Sequence, residues 1–182
     1  MTKTSLFLLS FLVSAVGVSA KFYYDRPSGR IVPIAHGVYL TSQLEPRDVR
    51  LLRRNFICTI VDLRPDGEAA NQPTSAQMET AAQNSGMNFH YIPVPHESIP
   101  DSAVDALQEV LSHVKNGNTV LYCRTGRRAV RTYALAEASR PNGGTADEIA
   151  EIVAGAGFSA DDLKDQITER ISRRNPHLPE KK

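Results

Sequence analysis

The sequence predicts an α/β domain with a central, mostly parallel sheet of four to five strands and helices on both faces. Two features carry that expectation. Short apolar runs rich in β-branched residues recur at 57–63, 89–94 and 119–122, and segments with helical apolar spacing separate them. Strands that alternate with helices form crossover units, and parallel strands buried on both faces read as continuous apolar runs.

Taken in order, residues 34–40 read as a short strand. Pro46 suits the first turn of a helix whose apolar face begins with Val49, Leu51 and Leu52. Residues 57–63 form a buried strand, and Arg64-Pro65-Asp66-Gly67-Glu68 is the loop that follows it. Thr74-Ser75 caps a helix reaching about Asn84, with Gly86 as its stop. Residues 89–94 form a second core strand ended by Pro93 and Pro95. The helix opened by Pro100-Asp101-Ser102 carries the stripe Val104, Leu107, Val110, Leu111 and Val114, and Asn116-Gly117-Asn118 ends it. Residues 119–122 are the third core strand, and a helix follows from Gly126. Thr145 with Glu148 three residues on is a capping box for the next helix, and Ser159 caps the last. Residues 34–172 make the domain, 21–33 an extended lead-in, and 173–182 a charged, Pro-broken tail that frays.

Chain-wide properties narrow the function classes. A length of 182 residues suits one compact domain. A net charge of +1 gives no global field to attract nucleic acid, so none is expected as a partner. The five histidines are scattered, and none stands at metal-ligand spacing with Cys or carboxylates, so neither a metal nor an organic cofactor is expected. The first 20 residues read as a signal peptide: Lys3, an apolar run at 6–18, then Val18-Ser19-Ala20 with cleavage after Ala20. An uncleaved anchor is the alternative. The expected product is exported, periplasmic in a Gram-negative source, with no stable membrane insertion after cleavage.

The chemistry concentrates on one loop. Residues 120–123 run as a strand directly into Cys123-Arg124-Thr125-Gly126-Arg127-Arg128 and then a helix. In a parallel sheet this places Cys123 at the carboxyl ends of the strands, where backbone N–H groups and the helix dipole favour an anion. A thiolate is stabilised at such a spot, and Arg124, Arg127 and Arg128 add positive charge. Arg128 can clamp an oxyanion with its fork, and Gly126 permits a close approach of backbone. A buried structural cysteine before an arginine-rich helix is the plainer reading. Arg64 either lines the same oxyanion pocket or pairs with Glu68 to brace its loop.

These pieces, in order, resemble one family. Ser42-Gln43-Leu44, Val61-Asp62-Leu63-Arg64-Pro65-Asp66-Gly67-Glu68, Gln72-Pro73-Thr74-Ser75, Tyr91-Ile92-Pro93-Val94, the thiol loop, and Thr145-Ala146-Asp147-Glu148-Ile149 are similar to the small bacterial phosphatase-like domain named for its fusion to β-lactamase-like hydrolases. That resemblance implies a protein-tyrosine-phosphatase-like fold and a cysteine-dependent hydrolase acting on phosphorylated or other oxyanion-bearing substrates. Cys123 would be its nucleophile and Arg128 its clamp, with Arg124, Thr125, Gly126, Arg127 and Arg64 around the substrate. Cysteine phosphatases of this kind carry His before the Cys and Arg six residues after it. Here Tyr122 precedes Cys123, the Arg falls at the fifth position, and Ala129 stands where a hydroxyl residue is usual. A loop of this shorter length is also that of rhodanese-type sulfurtransferases, which carry a persulfide. A non-catalytic oxyanion-binding module is the third possibility. The general acid falls on His96 or Glu97, unless that loop is simply an exposed surface turn.

Cys58 and Cys123 are expected to remain unpaired despite an oxidising compartment. With parallel strands aligned, they are offset by about four residues, or roughly 13 Å, and a disulfide needs Cα atoms within about 7 Å. Cys58 is then a small buried hydrophobe and Cys123 the only reactive thiol.

Overall fold

The computed structural model describes residues 30–113 and 117–174. The leader, residues 21–29 of the lead-in and residues 175–182 of the tail lie outside the described residues. Twelve elements are built from that stretch: β1 (Val32–Ala35), β2 (Val38–Thr41), α1 (Pro46–Arg54), β3 (Ile57–Asp62), α2 (Ser75–Gln83), β4 (Asn88–Tyr91), α3 (Asp101–His113), β5 (Asn118–Tyr122), α4 (Arg127–Ser139), α5 (Ala146–Gly155), a single 3-10 turn (Asp161–Leu163) and α6 (Lys164–Arg174).

The five strands form one sheet in the order β1-β2-β5-β3-β4, parallel except for the edge strand β1. The mostly parallel sheet read from the sequence is therefore present. Helices cover both faces. On one side α1 and α2 bury Leu44, Val49, Leu52, Ile60, Met78 and Val120. On the other, α3 to α6 bury Val61, Leu63, Leu107, Leu121, Leu135, Ile149 and Ile167. Apolar contact with both faces is why the central strands lack in–out alternation.

Four expectations about element boundaries need correction. The single strand at 34–40 is a hairpin: β1 and β2 pair antiparallel around His36-Gly37, and Gly37 takes a left-handed φ of 72°. A two-residue turn of this kind matches the twist of the flanking strands. The lead-in expected to end at Pro33 already contributes Val32 and Pro33 to β1. Regular pairing of β4 stops at Tyr91 instead of continuing to Val94, because Pro93 has no N–H to donate; Ile92 N and Val94 N still reach Asp62 O and Leu63 O. At the other terminus α6 continues through Arg173 to Arg174. Arg173 pairs with Glu169 in the preceding turn. Arg174 donates to the carbonyls of Glu137, Arg140 and Gly144, which closes the end of α4 and the loop beyond it.

The register decides where the site falls. Thr41 of β2 and Asp62 of β3 both pair with Tyr122 of β5, and Asp62 pairs with Tyr91 of β4. Four parallel strands thus end in one line, and the loops leaving them meet above it.

Candidate active site

Each of those four loops supplies a polar group. After β5, Cys123 sits at the base of its loop, 1% exposed, and the Gly126 N–H donates to its Sγ at 3.2 Å. Gly126 is also the N-cap of α4, with φ 95°. A Cβ there would sit 3.4 Å from both Leu40 Cδ2 and Thr41 O, so the position suits glycine on conformational and steric grounds. Arg124, Thr125 and Arg127 of the loop are exposed, and Arg128 is buried.

After β3, Arg64 and Glu68 turn back toward the same point. Glu68 is the hub. Its Oε1 and Oε2 accept from Arg128 Nη1 at 2.6 Å and Nη2 at 2.8 Å, a bidentate fork, while Oε2 also accepts from Arg64 Nε at 2.9 Å. Arg64 Nη1 donates to Gln43 Oε1, after β2, at 2.7 Å. Arg128 Nη1 donates a further bond to Val94 O, after β4, at 2.6 Å. Burial opposes ionisation of Glu68, but the bonds from Arg128 and Arg64 prevail and bring its pKa down to about 2. Burial likewise works against the charge on Arg128, and Glu68 with the nearby Cys123 sulfur overcomes it and raises that pKa.

The pairing of Arg64 with Glu68 that one of the two readings expected is present, with Nε on Glu68 and Nη1 on Gln43. Sequence reasoning assigned Arg128 to a substrate oxyanion and missed that Glu68 holds it. The signal was available in the spacing of Arg64 and Glu68 within one turn-rich loop, but nothing local joins that loop to Arg128. Gln43 was missed as a member of the site for the same reason. His96 lies at the rim, with Nε2 3.6 Å from Glu68 Oε1 and its side chain 60% exposed. Glu97 is exposed beside it.

Beneath the site, Tyr122, which stands where a histidine was expected, is fully buried. Its hydroxyl donates to Asp62 Oδ2 at 2.5 Å, and Asp62 Oδ1 accepts from Arg64 N at 2.9 Å. Burial drives the Asp62 carboxyl up to about 6, although both hydrogen bonds pull it down. The pair ties the end of β3 to the end of β5, so the Arg64 loop and the thiol loop leave the sheet in fixed relation.

The two cysteines are free, as the strand offset required. Their exposures reverse the expectation. Cys123 is buried, whereas Cys58 is half-buried and lines a cleft of about 810 Å³ at the opposite end of the sheet, with Phe56, Gly117 and Tyr133. A register shift in β3 between Ile57 and Thr59 moves Cys58 out of the regular ladder. Among the described residues no cluster of His, Cys, Asp or Glu is arranged to hold a metal ion.

Comparison with known proteins agrees with this architecture. The family model for the beta-lactamase hydrolase-like protein, phosphatase-like domain, matches residues 32–140. The beta-lactamase hydrolase-like protein of Xylella fastidiosa (strain 9a5c) is 32% identical over 108 residues, covering 59% of this chain. The chain spans only 25% of that relative's length. Among solved structures, a putative phosphatase from Neisseria meningitidis Z2491 superposes with a TM-score of 0.65 at 25% identity, covering 76% of this chain and 96% of its own. The P. aeruginosa protein TpbA in complex with pTyr superposes with a TM-score of 0.56 at 16% identity, covering 85% of this chain and 90% of its own. The fold is thus protein-tyrosine-phosphatase-like, and the chain belongs to the family of the beta-lactamase hydrolase-like protein, phosphatase-like domain.

Proposed function

We propose that this chain is a cysteine-dependent phosphomonoesterase with Cys123 as nucleophile. The observation that carries the reading is the meeting at one point of a thiol under a helix N-terminus, an amide aimed at its sulfur, and a guanidinium held by Glu68. That pTyr is a ligand of the structurally similar TpbA supports an oxyanion-bearing substrate.

In the proposed reaction the Cys123 thiolate attacks phosphorus, an S–P bond forms, and the ester O–P bond breaks. The departing oxygen takes a proton from His96 or Glu97 at the rim. Water then attacks the phosphocysteine, returning a proton to that acid, releasing phosphate and restoring the thiolate. Arg128 and the amides of the loop from Arg124 to Arg127 hold the equatorial oxygens. Arg64 acts through Glu68, fixing the carboxylate that fixes Arg128, and is a positioning residue.

A sulfurtransferase is favoured by one specific observation: Arg128, already one position early in the loop, is occupied by Glu68 and Val94 O, which leaves less of its fork for a phosphoryl group. Turnover of p-nitrophenyl phosphate, and of thiosulfate with cyanide, separates the two. Phosphate release that disappears in Cys123→Ser and falls by about 10²–10³ in Arg128→Ala is the expected result. Thiocyanate formation without phosphate release would overturn it in favour of the persulfide chemistry.

A further inference from the structure

The outer flank of α1 has a composition that neither the fold nor the candidate active site uses. The helix carries four arginines, Arg47, Arg50, Arg53 and Arg54, against one acidic residue, the buried Asp48. Arg47, Arg50 and Arg54 are exposed and have no ion pair among the described residues. Two exposed arginines elsewhere find carboxylates, Arg140 with Glu137 and Arg173 with Glu169, while Arg124 and Arg127 of the thiol loop share the unpaired state of the α1 cluster. The stability of α1 accounts for Arg53 and Arg54, which sit in the last turn where the dipole favours a cation, but not for the other two. Arg47 sits in the first turn, where the helix dipole disfavours a cation, and Arg50 stacks a like charge on Arg54 at i,i+4.

Exposed apolar side chains gather at the same place. Among the described residues the large hydrophobic side chains that stand out in water are Leu51, Phe56 and Tyr91, and the first two belong to α1 and the turn that ends it. Phe56 is 77% exposed and adopts φ 62°, the sole positive φ of a non-glycine residue among those described. An aromatic residue in this left-handed position, where glycine or asparagine is usual, is strained as well as solvated. The like charges at i,i+4 and the strained, protruding phenyl ring weaken the free protein, and the solvated, unpaired guanidiniums stay available to an anionic partner.

We propose that this flank is a docking surface for anionic phospholipid membrane, to which the protein adsorbs without spanning it. Guanidinium forks match phosphate headgroups, and Leu51 and Phe56 enter the apolar boundary beneath them. Leu51 and Phe56 are two separated apolar groups among arginines, Phe56 at the rim of the Cys58 cleft, and this mixture of cationic and isolated apolar side chains matches a headgroup layer with acyl chains beneath it. The helix starts three residues beyond Gln43, whose N–H donates to Arg124 O, so the basic flank begins beside the exposed arginines of the thiol loop.

Sedimentation of the full chain with vesicles of phosphatidylglycerol and phosphatidylcholine, against phosphatidylcholine alone, tests the inference. Binding is expected on the anionic vesicles only, to weaken with salt, and to fall about a hundredfold in R47E/R50E/R54E. Phe56→Gly separates strain from function: it should raise Tm by about 2–4 °C while weakening vesicle binding. Arg50→Gln, the mildest change, should weaken binding while raising Tm by about 1 °C through the lost repulsion with Arg54. Equal binding to neutral vesicles, which the apolar run at 6–18 would produce, overturns the proposal. So does anionic binding unaltered in all three variants, or tighter capture by polyglutamate or duplex DNA than by the vesicles.

Discussion

Removing the carboxylate of Glu68 would leave two guanidiniums, on Arg64 and Arg128, buried without their counter-charge. Glu68→Gln is expected to cost about 2–3 kcal/mol in urea unfolding, because isolating a buried charge costs more than the pair contributes. It should also lower turnover through Arg128. The pH dependence has a definite sign. Glu68 is held near 2 in the fold against 4.5 as the ordinary value, so its stabilisation is complete above 4.5 and is lost as pH falls from there toward 2. The Gln variant should lack that acid limb. Asp62 behaves oppositely. Its carboxyl is raised from 3.8 to about 6, so the fold keeps a proton that the unfolded chain releases. The Asp62 contribution to stability is greatest below 3.8, declines between there and 6, and is lowest above. Asp62→Asn should flatten that window and gain about 1–2 kcal/mol at pH 7, with the new amide unable to satisfy both former donors. A stability difference, parent minus Asp62→Asn, that rises between about pH 4 and 6 would contradict this assignment.

At the scale of elements, caps and turns were legible because they are local. Thr145 and Glu148 form the capping box that their spacing indicated: the Glu148 N–H donates to Thr145 Oγ1 at 3.3 Å, and the Thr145 N–H to Glu148 Oε2 at 2.7 Å. Thr145→Ala should cost about 1 kcal/mol, read as a shift in denaturation midpoint at constant slope. Gly126 joins β5 to α4, and its role is conformational first. Gly126→Ala should destabilise by about 1–2 kcal/mol and misplace the amide that faces Cys123, lowering turnover more than the stability loss explains. Where elements were misjudged, the cause was tertiary or a single overlooked residue. Gly37 split one strand into a hairpin. Pro93 truncated β4. Arg174 found three carbonyls at the end of α4 and extended α6 past the boundary its charge suggested.

For the whole molecule, the sheet register makes a thiol experiment decisive. Cys58 aligns with the start of β5 and Cys123 follows its end, so the unreduced protein, once unfolded, should titrate two thiols; none would show a bridge and refute the parallel alignment. In the native state Cys58 should react first with a neutral alkylating reagent, since Cys123 is 1% exposed. Among the described residues no helix is long and apolar enough to cross a membrane. The sequence by itself determined the α/β class, most helix caps, the thiol loop at a strand's carboxyl end and the family resemblance. The first three rest on periodicity, capping and spacing within a few residues, and the resemblance on motif pieces matched in order from Ser42 to Ile149. Tertiary structure alone decided that Glu68 captures Arg128, that Gln43 holds Arg64, that Tyr122 closes on Asp62, and which cysteine is shielded. Those partners lie up to 60 residues apart. They meet only because β2, β5, β3 and β4 end in line, a property of strand register that no local stretch of sequence contains.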